Sequence, residues 1–120
     1  MIERLKPEFS FEDERGALFQ LFSSGWQQVN VSFTKEGVER GCHYHKQNKE
    51  IFFIVSGKCR LSIKDLNTGE EEQQTLVGGD MVMVHPYEIH TFNYDEDTVM
   101  VAAYDIGFLL PDGTKDVFDN

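Results

Sequence analysis

Short β-rich runs bounded by turn residues recur along this chain, and no window shows the sustained period of a capped amphipathic helix. The runs predict strands at residues 17–22, 29–34, 50–55, 61–64, 70–77, 81–84, 90–93 and 98–104. Roughly eight strands in antiparallel hairpins suit a jelly-roll barrel. The pattern therefore predicts an all-β fold.

Three local patterns predict the surroundings of these strands. Val29, Val31 and Phe33 alternate with polar residues, which is typical of a half-buried strand. Residues 50–55 are apolar almost throughout, so we expect this strand to be covered on both faces. Residues 67–69 read Asn-Thr-Gly and predict a hairpin turn, because glycine adopts a positive φ without steric cost.

The length of 120 residues suits one domain with its own hydrophobic core. No linker, repeat or low-complexity stretch divides the chain, so we expect one domain over residues 1–120, with a barrel core at about 17–106. The ends, residues 1–12 and 107–120, are predicted to be pairing arms or loose tails. Trp26 and the ten phenylalanines are predicted to lie in the core, because a β-rich interior needs bulky side chains, although one or two of them could floor a ligand pocket.

The formal net charge of −10 narrows the range of partners. A nucleic-acid binder needs a basic face, and an anionic membrane surface would repel this chain, so neither partner is expected. The only two cysteines are Cys42 and Cys59, which is too few for a disulfide framework, and no apolar leader or spanning run is present. These features predict a cytoplasmic protein in which both cysteines are small buried residues.

One spaced block carries the chemistry: Gly37-x₅-His43-x-His45-x₄-Glu50-x₆-Gly57. Side chains at i and i+2 of a strand share a face, so His43 and His45 should point the same way. Glu50 opens the next run, and a hairpin would lay it beside the two histidines. His90 follows on a later strand, and together these four side chains predict a site for one divalent metal ion, either Zn, Ni, Fe, Mn or Co.

The fourth histidine, His85, is expected in a turn or at the rim of that site. The spaced block resembles the first motif of the cupin family at every position. Residues 79–93 are similar to its second motif, with His85 where proline is usual and Tyr87 where glycine is usual. The resemblance covers about half of the chain, and it implies a cupin, or double-stranded β-helix, with a metal bound in the barrel.

A narrower resemblance overlaps the first. Residues 13–16, 28–32, 35–38 and 40–44 are similar to dTDP-4-dehydrorhamnose 3,5-epimerase, whose motif Arg-Gly-Leu-His-Tyr-Gln corresponds to the segment that begins at Arg40. Sugar-nucleotide 3,4-ketoisomerases and the cupin half of capsular-polysaccharide enzymes are also similar here. This resemblance implies a nucleotide-sugar ligand and an epimerase or isomerase activity.

The resemblance also implies catalytic roles for two residues. His43 corresponds to the general base that removes a proton beside the sugar ketone, and Tyr104 lies about where these epimerases place their acidic tyrosine. The metal-free epimerases, however, have Gln at the position of His45 and Lys near that of Glu50. They also pair the base with a late Asp on a C-terminal segment that this short chain is expected to lack. The metal-containing capsular type is therefore a better model for this site than the metal-free epimerases.

Three functions stay open at this point. The chain could be a nucleotide-sugar epimerase or isomerase of surface-polysaccharide synthesis, a cupin that binds a sugar or other small ligand without turnover, or an Fe- or Mn-dependent dioxygenase. A homodimer is also predicted, because Phe9 and Phe11 lie in an N-terminal run with little barrel left to cover, and unpaired strand edges need covering.

Overall fold

A computed structural model describes residues 1–119 and, within them, twelve strands and no helix. The strands are β1 (Glu3–Leu5), β2 (Phe9–Asp13), β3 (Gly16–Gln20), β4 (Gln28–Thr34), β5 (Glu39–Tyr44), β6 (Glu50–Ser56), β7 (Lys58–Asp65), β8 (Glu71–Val77), β9 (Met81–Val84), β10 (Glu88–Tyr94), β11 (Thr98–Tyr104) and β12 (Phe118–Asp119). The prediction of an all-β fold is confirmed. Among these residues no helix could cross a membrane.

Ten of the strands form two five-stranded antiparallel sheets. Sheet one has the order β1-β9-β6-β11-β4, and sheet two has the order β12-β5-β10-β7-β8. The remaining strands, β2 and β3, pair only with each other, and the predicted β7–β8 hairpin is present. Strands that are neighbours in the chain often lie in opposite sheets, which is the arrangement of a double-stranded β-helix.

The main hydrophobic core joins residues of both sheets. Phe52 and Ile54 of β6 belong to one buried cluster with Leu61 and Ile63 of β7. The alternate residues of β6 pack on the opposite side of sheet one, where half-buried Trp26 covers Phe53 and its neighbours. Strand β6 is therefore covered on both faces, as its apolar sequence predicts.

The apolar face of β4 points outward, and the expectation that it supplies core residues is wrong. Val29, Val31 and Phe33 are all exposed, Phe33 to 74%. The polar residues between them, Asn30 and Ser32, line the interior of the barrel instead. The alternation marks a strand correctly, but this barrel interior is a polar cavity at that point, so the usual orientation is reversed.

The phenylalanines divide between the core and the surface. Phe52, Phe53 and Phe92 are buried, as predicted, whereas the following four are exposed: Phe9, Phe11, Phe19 and Phe33. Three of these lie in the β2–β3 hairpin, which belongs to neither five-stranded sheet. The Phe19 ring packs against Phe53 of sheet one with a centroid separation of 5.3 Å, but the hairpin is otherwise uncovered, so composition alone misplaces its side chains.

Both ends of the described chain pair with the barrel. Strand β1 forms the edge of sheet one beside β9, and β12 pairs with β5 at the edge of sheet two. The ends are therefore pairing elements rather than loose tails. The division into a core at about 17–106 and terminal arms stays a prediction.

Candidate functional site

A bulge in β5 directs His43 into the barrel. His90 of β10 lies opposite His43, and the next residue, Thr91, lies opposite Gly41, so Cys42 is the extra residue. Gly41 and Cys42 have φ angles of 99° and 62°. A Cβ on Gly41 would lie 2.6 Å from the His90 carbonyl oxygen, so only glycine fits this close approach.

The bulge also corrects the prediction for Cys42. Regular alternation would bury this residue behind His43, but the bulge interrupts the alternation, and Cys42 is exposed. Cys59 is fully buried as predicted, and burial raises the pKa of its thiol to about 12. Neither cysteine contributes a side chain to the cavity described below.

Glu50 reaches the histidines from the opposite sheet, so the expectation of a β5–β6 hairpin is wrong. Strand β5 pairs with β10 and β12, whereas β6 pairs with β9 and β11. Residues 45–49, hereafter the 45–49 loop, connect the two sheets. His45 is the first residue of this loop, and Glu50 follows the loop as the first residue of β6, so the two side chains can meet inside the barrel.

Three of the four predicted ligands form a compact group, hereafter the histidine cluster: His43, His45 and His90. One ring nitrogen from each lies within 4.8 Å of the others. His45 and His90 are buried, and His43 is half-buried at the cavity wall. Three imidazoles at this spacing could hold a metal ion.

Glu50 contacts two members of the cluster. Its Oε1 atom lies 2.9 Å from His45 Nε2 and 3.4 Å from His90 Nε2. Burial alone would raise the pKa of Glu50, but its contacts with these two histidines outweigh burial and hold the pKa below its ordinary value. Burial lowers the pKa of His45, but the contact with Glu50 outweighs burial, so the pKa of His45 lies above its ordinary value. The pair therefore favours an ionised Glu50 carboxylate beside a proton or a bound cation.

Backbone carbonyls orient both buried rings. His45 Nδ1 donates to the Asp116 carbonyl oxygen at 2.6 Å, and His90 Nδ1 donates to the Glu88 carbonyl oxygen at 3.2 Å. Since a carbonyl can only accept, each Nδ1 carries the proton and each Nε2 faces the cluster. His90 Nε2 is buried and, among residues 1–119, has no hydrogen-bond partner, because its contact with Glu50 lacks hydrogen-bond geometry.

Tyr104 lies beside Glu50 on the neighbouring strand. The two residues are directly opposite in the β11–β6 ladder, and the Tyr104 ring meets the His45 ring edge-on at 5.1 Å. Burial, followed by the charge of Glu50 and a hydrogen bond to it, raises the pKa of Tyr104 well above its ordinary value. The hydroxyl is therefore protonated and can act as a donor.

A cavity of about 230 Å³ lies beside the histidine cluster inside the barrel. Its walls combine His43, His90, Glu50 and Tyr104 with an apolar end formed by Phe52, Phe92 and Met100, while His45 lies behind Glu50 and does not line the cavity. Exposed Arg40 also lines it, and its Nε donates to Thr34 Oγ1 at 2.8 Å. The sequence did not assign Arg40 a site role, although Arg40 begins the segment that resembles the epimerase motif.

His43 has a different environment from the other two histidines. Burial, and then the nearness of His90 and His45, lower its pKa, so a neutral imidazole is favoured at the cavity wall. The fourth histidine, His85, lies outside the cluster, where its Nε2 is 2.9 Å from Glu3 Oε1. His85 therefore contacts Glu3 in the connection between β9 and β10, which agrees with the expected turn rather than with a position at the rim of the site.

The C-terminal segment reaches the site, contrary to the expectation that this chain lacks such a segment. Asp119 of β12 lies opposite His43 of β5 in the ladder. The carboxylate of buried Asp116 accepts hydrogen bonds from the 45–49 loop. No motif singled out Asp116, which is one of three aspartates in residues 112–119.

Fold and cavity together define a cupin whose barrel carries a histidine cluster beside an acidic residue and a tyrosine. The chain belongs to the polysaccharide biosynthesis C-terminal domain family, which it matches over residues 11–104. Among curated protein sequences, no relative matches it.

Solved structures of sugar-nucleotide enzymes share this fold. The dTDP-4-dehydrorhamnose 3,5-epimerase of Sulfolobus tokodaii is 26% identical, with a TM-score of 0.76 over 86% of this chain and 69% of that protein. The 3,4-ketoisomerase QdtA of Thermoanaerobacterium thermosaccharolyticum, solved with TDP, is 18% identical, with a TM-score of 0.80 over 99% of this chain and 87% of its own. The predicted cupin fold is confirmed.

The capsular polysaccharide assembling protein CapF of Staphylococcus aureus is also similar. It is 24% identical, with a TM-score of 0.69 over 92% of this chain. The match covers only 33% of CapF, so this chain corresponds to one part of that longer protein.

Proposed function

We propose that this chain is an epimerase or isomerase of a nucleotide-linked sugar and that it uses one divalent metal ion. The observation that carries the proposal is a cluster of three histidines beside one barrel cavity, which is lined by two of them together with an ionised carboxylate and a protonated tyrosine. The family match and the 26% identical epimerase support the substrate class.

The donor set fits a metal ion. His43, His45, Glu50 and His90 would hold the ion, and the unpartnered Nε2 of His90 is the kind of buried atom that a metal would satisfy. Carbonyl acceptors behind His45 and His90 are the supporting contacts usually found behind metal-bound imidazoles. Zn, Ni, Fe, Mn and Co all suit this set, and any of them would stabilise negative charge on a substrate oxygen.

Tyr104 is the proposed proton donor. A carbon next to a ketone exchanges its proton when a base removes it and an acid returns it, and Tyr104 is held protonated at the cavity wall. His43 is the residue that the epimerase resemblance implies as the base, and its lowered pKa favours the neutral form that a base requires. The same nitrogen cannot bind metal and accept that proton, so with metal bound His43 would act as a ligand and the proton would pass from the carbon to solvent in the cavity.

Arg40 and the cavity size support a nucleotide-sugar ligand. A cavity of about 230 Å³ suits a single sugar ring better than a whole nucleotide sugar, so the nucleotide would extend outward. Arg40 lines the same cavity and is exposed, where its guanidinium could pair with a phosphate. Without turnover the same features would suit a ligand-binding cupin.

Deuterium incorporation from heavy water into a dTDP-4-keto-6-deoxyglucose-type sugar tests the activity. We expect exchange by the metal-loaded protein and a loss of roughly 10²-fold or more in Tyr104→Phe, because the hydroxyl is the acid. Tyr87→Phe is the matched control, since that tyrosine lies in a turn outside the cavity. Absence of exchange with several such sugars would contradict an enzyme and favour the binding module, and oxygen uptake with Fe²⁺ would favour a dioxygenase.

We also propose a homodimer, supported by the exposed apolar residues of the β2–β3 hairpin and of β4. Strand β4 is an edge of sheet one, so it offers unpaired backbone groups beside this apolar surface.

A cytoplasmic location stays a prediction.

A further inference from the structure

The 45–49 loop is held almost entirely by the C-terminal segment, residues 105–119. The Asp116 carboxylate accepts four hydrogen bonds of 2.8–3.0 Å: from the backbone N–H groups of residues 46, 47 and 48 and from Asn48 Nδ2. Asp116 is 1% exposed. A buried carboxylate that accepts this many hydrogen bonds is fixed in one position, and the loop that donates them is fixed with it.

Asn48 ties the loop to the same segment from the other side. Its Oδ1 accepts from the backbone N–H groups of Ile106 and Gly107, and its Nδ2 donates to the Gly107 carbonyl. Asn48 is also 1% exposed, and its amide has a partner at both atoms. The loop therefore has no independent conformation once the C-terminal segment is seated.

The end of the segment is held by further contacts. Strand β12 pairs with β5, and the Phe118 ring packs on Tyr44 with a centroid separation of 5.6 Å. The ammonium group of Lys46 lies 4.1 Å from the centre of the Phe118 ring. These contacts close the segment over the loop, with Asp116 between them.

The consequence for the site comes through His45. The backbone carbonyl of Asp116 accepts the His45 Nδ1 proton at 2.6 Å, while the side chain of the same residue holds the three residues that follow His45. One residue thus sets both the position of the loop and the hydrogen bond on the far side of the imidazole ring.

We propose that Asp116 is a positioning residue that commits His45 to the Nδ1–H form and aims its Nε2 into the histidine cluster. The inference rests on the proposed function only in taking the histidine cluster as a metal site. The orientation of His45 itself can be measured without metal or substrate. Loss of the carboxylate would leave the buried N–H groups of the loop unsatisfied, so the loop would shift and carry His45 away from the Asp116 carbonyl.

The test uses the full chain and follows the His45 Nδ1 proton by ¹H–¹⁵N NMR. We expect this proton to be slow to exchange with water in the parent protein, and to exchange fast or disappear in Asp116→Ala. Asp116→Asn keeps the size but loses an acceptor, so it should fall between the two. Asp112→Ala is the control, because exposed Asp112 bonds only to Thr114 in its own turn.

Co²⁺ binding gives a second readout. Removing such a supporting contact typically weakens metal affinity on the order of 10–100-fold, so Asp116→Ala should show that loss and Asp112→Ala should not. A retained His45 Nδ1 signal in a folded Asp116 variant, or unchanged Co²⁺ affinity, would overturn the inference. If the parent protein binds no Co²⁺, the proposed metal function fails, and the NMR result alone decides the role of Asp116. If Asp116→Ala does not fold, Asp116→Asn decides.

Discussion

The bulge at Gly41 and Cys42 sets the direction of His43. Without it, regular alternation would continue through β5, and His43 and His90 would not be opposite one another across the ladder. Gly41 also lies close to the His90 carbonyl, so the position of His43 on β5 depends on the backbone of His90 on β10.

Gly41→Ala should therefore disturb both stability and the site. We expect a destabilisation of about 1–3 kcal/mol from the positive φ, plus a further cost from the clash with the His90 carbonyl. Metal content should fall, because β5 must move away from β10. Gly25→Ala shares a positive φ but has no atom within 4 Å of the added Cβ, so it should keep its metal. Chemical denaturation and elemental analysis measure the two effects, and equal behaviour of both variants would contradict this role.

At the scale of elements, strand positions could be predicted from the sequence, but their orientations and partners could not. Strand β11 has the predicted bounds, and β6 is covered on both faces as expected. The orientation of β4 is reversed because the barrel interior beside it is a polar cavity, which alternation cannot reveal. Strand β12 is two residues long, too short for any pattern.

The candidate site was predictable in the same partial way. Spacing brings the histidines together because His43 and His90 pair directly and His45 follows two residues later. The contact between Glu50 and His45 arises across the two sheets, so local spacing predicted the contact but from a hairpin that the structure does not contain. Asp116 lies about 70 residues from the loop it binds, and no local pattern encodes such a contact.

At the scale of the whole molecule, the exposed apolar surface stands out. Seven large apolar residues of the hairpin and β4 are 44–74% exposed: Phe9, Phe11, Leu18, Phe19, Val29, Val31 and Phe33. An isolated hairpin is marginally stable in water, so a second copy that covers it would stabilise both chains. This surface is separate from the cavity, and the proposed pairing does not require the site to change.

Light scattering at micromolar concentration should give the mass of two chains. Phe33→Lys should shift the protein toward a monomer, because it places a charge in the proposed interface. Val77→Lys is the control, since Val77 is an exposed apolar residue of β8 in the other sheet. A monomeric parent protein would contradict the proposed dimer.

The metal content of the purified protein tests the central claim most directly. Elemental analysis should find about one divalent ion per chain, and His45→Ala and His90→Ala should each lose most of it, because each removes a buried nitrogen from the cluster. His85→Ala should keep the ion, since His85 pairs with Glu3 outside the cluster. Undiminished metal in both His45→Ala and His90→Ala, or no metal in the parent protein after loading, would contradict the account.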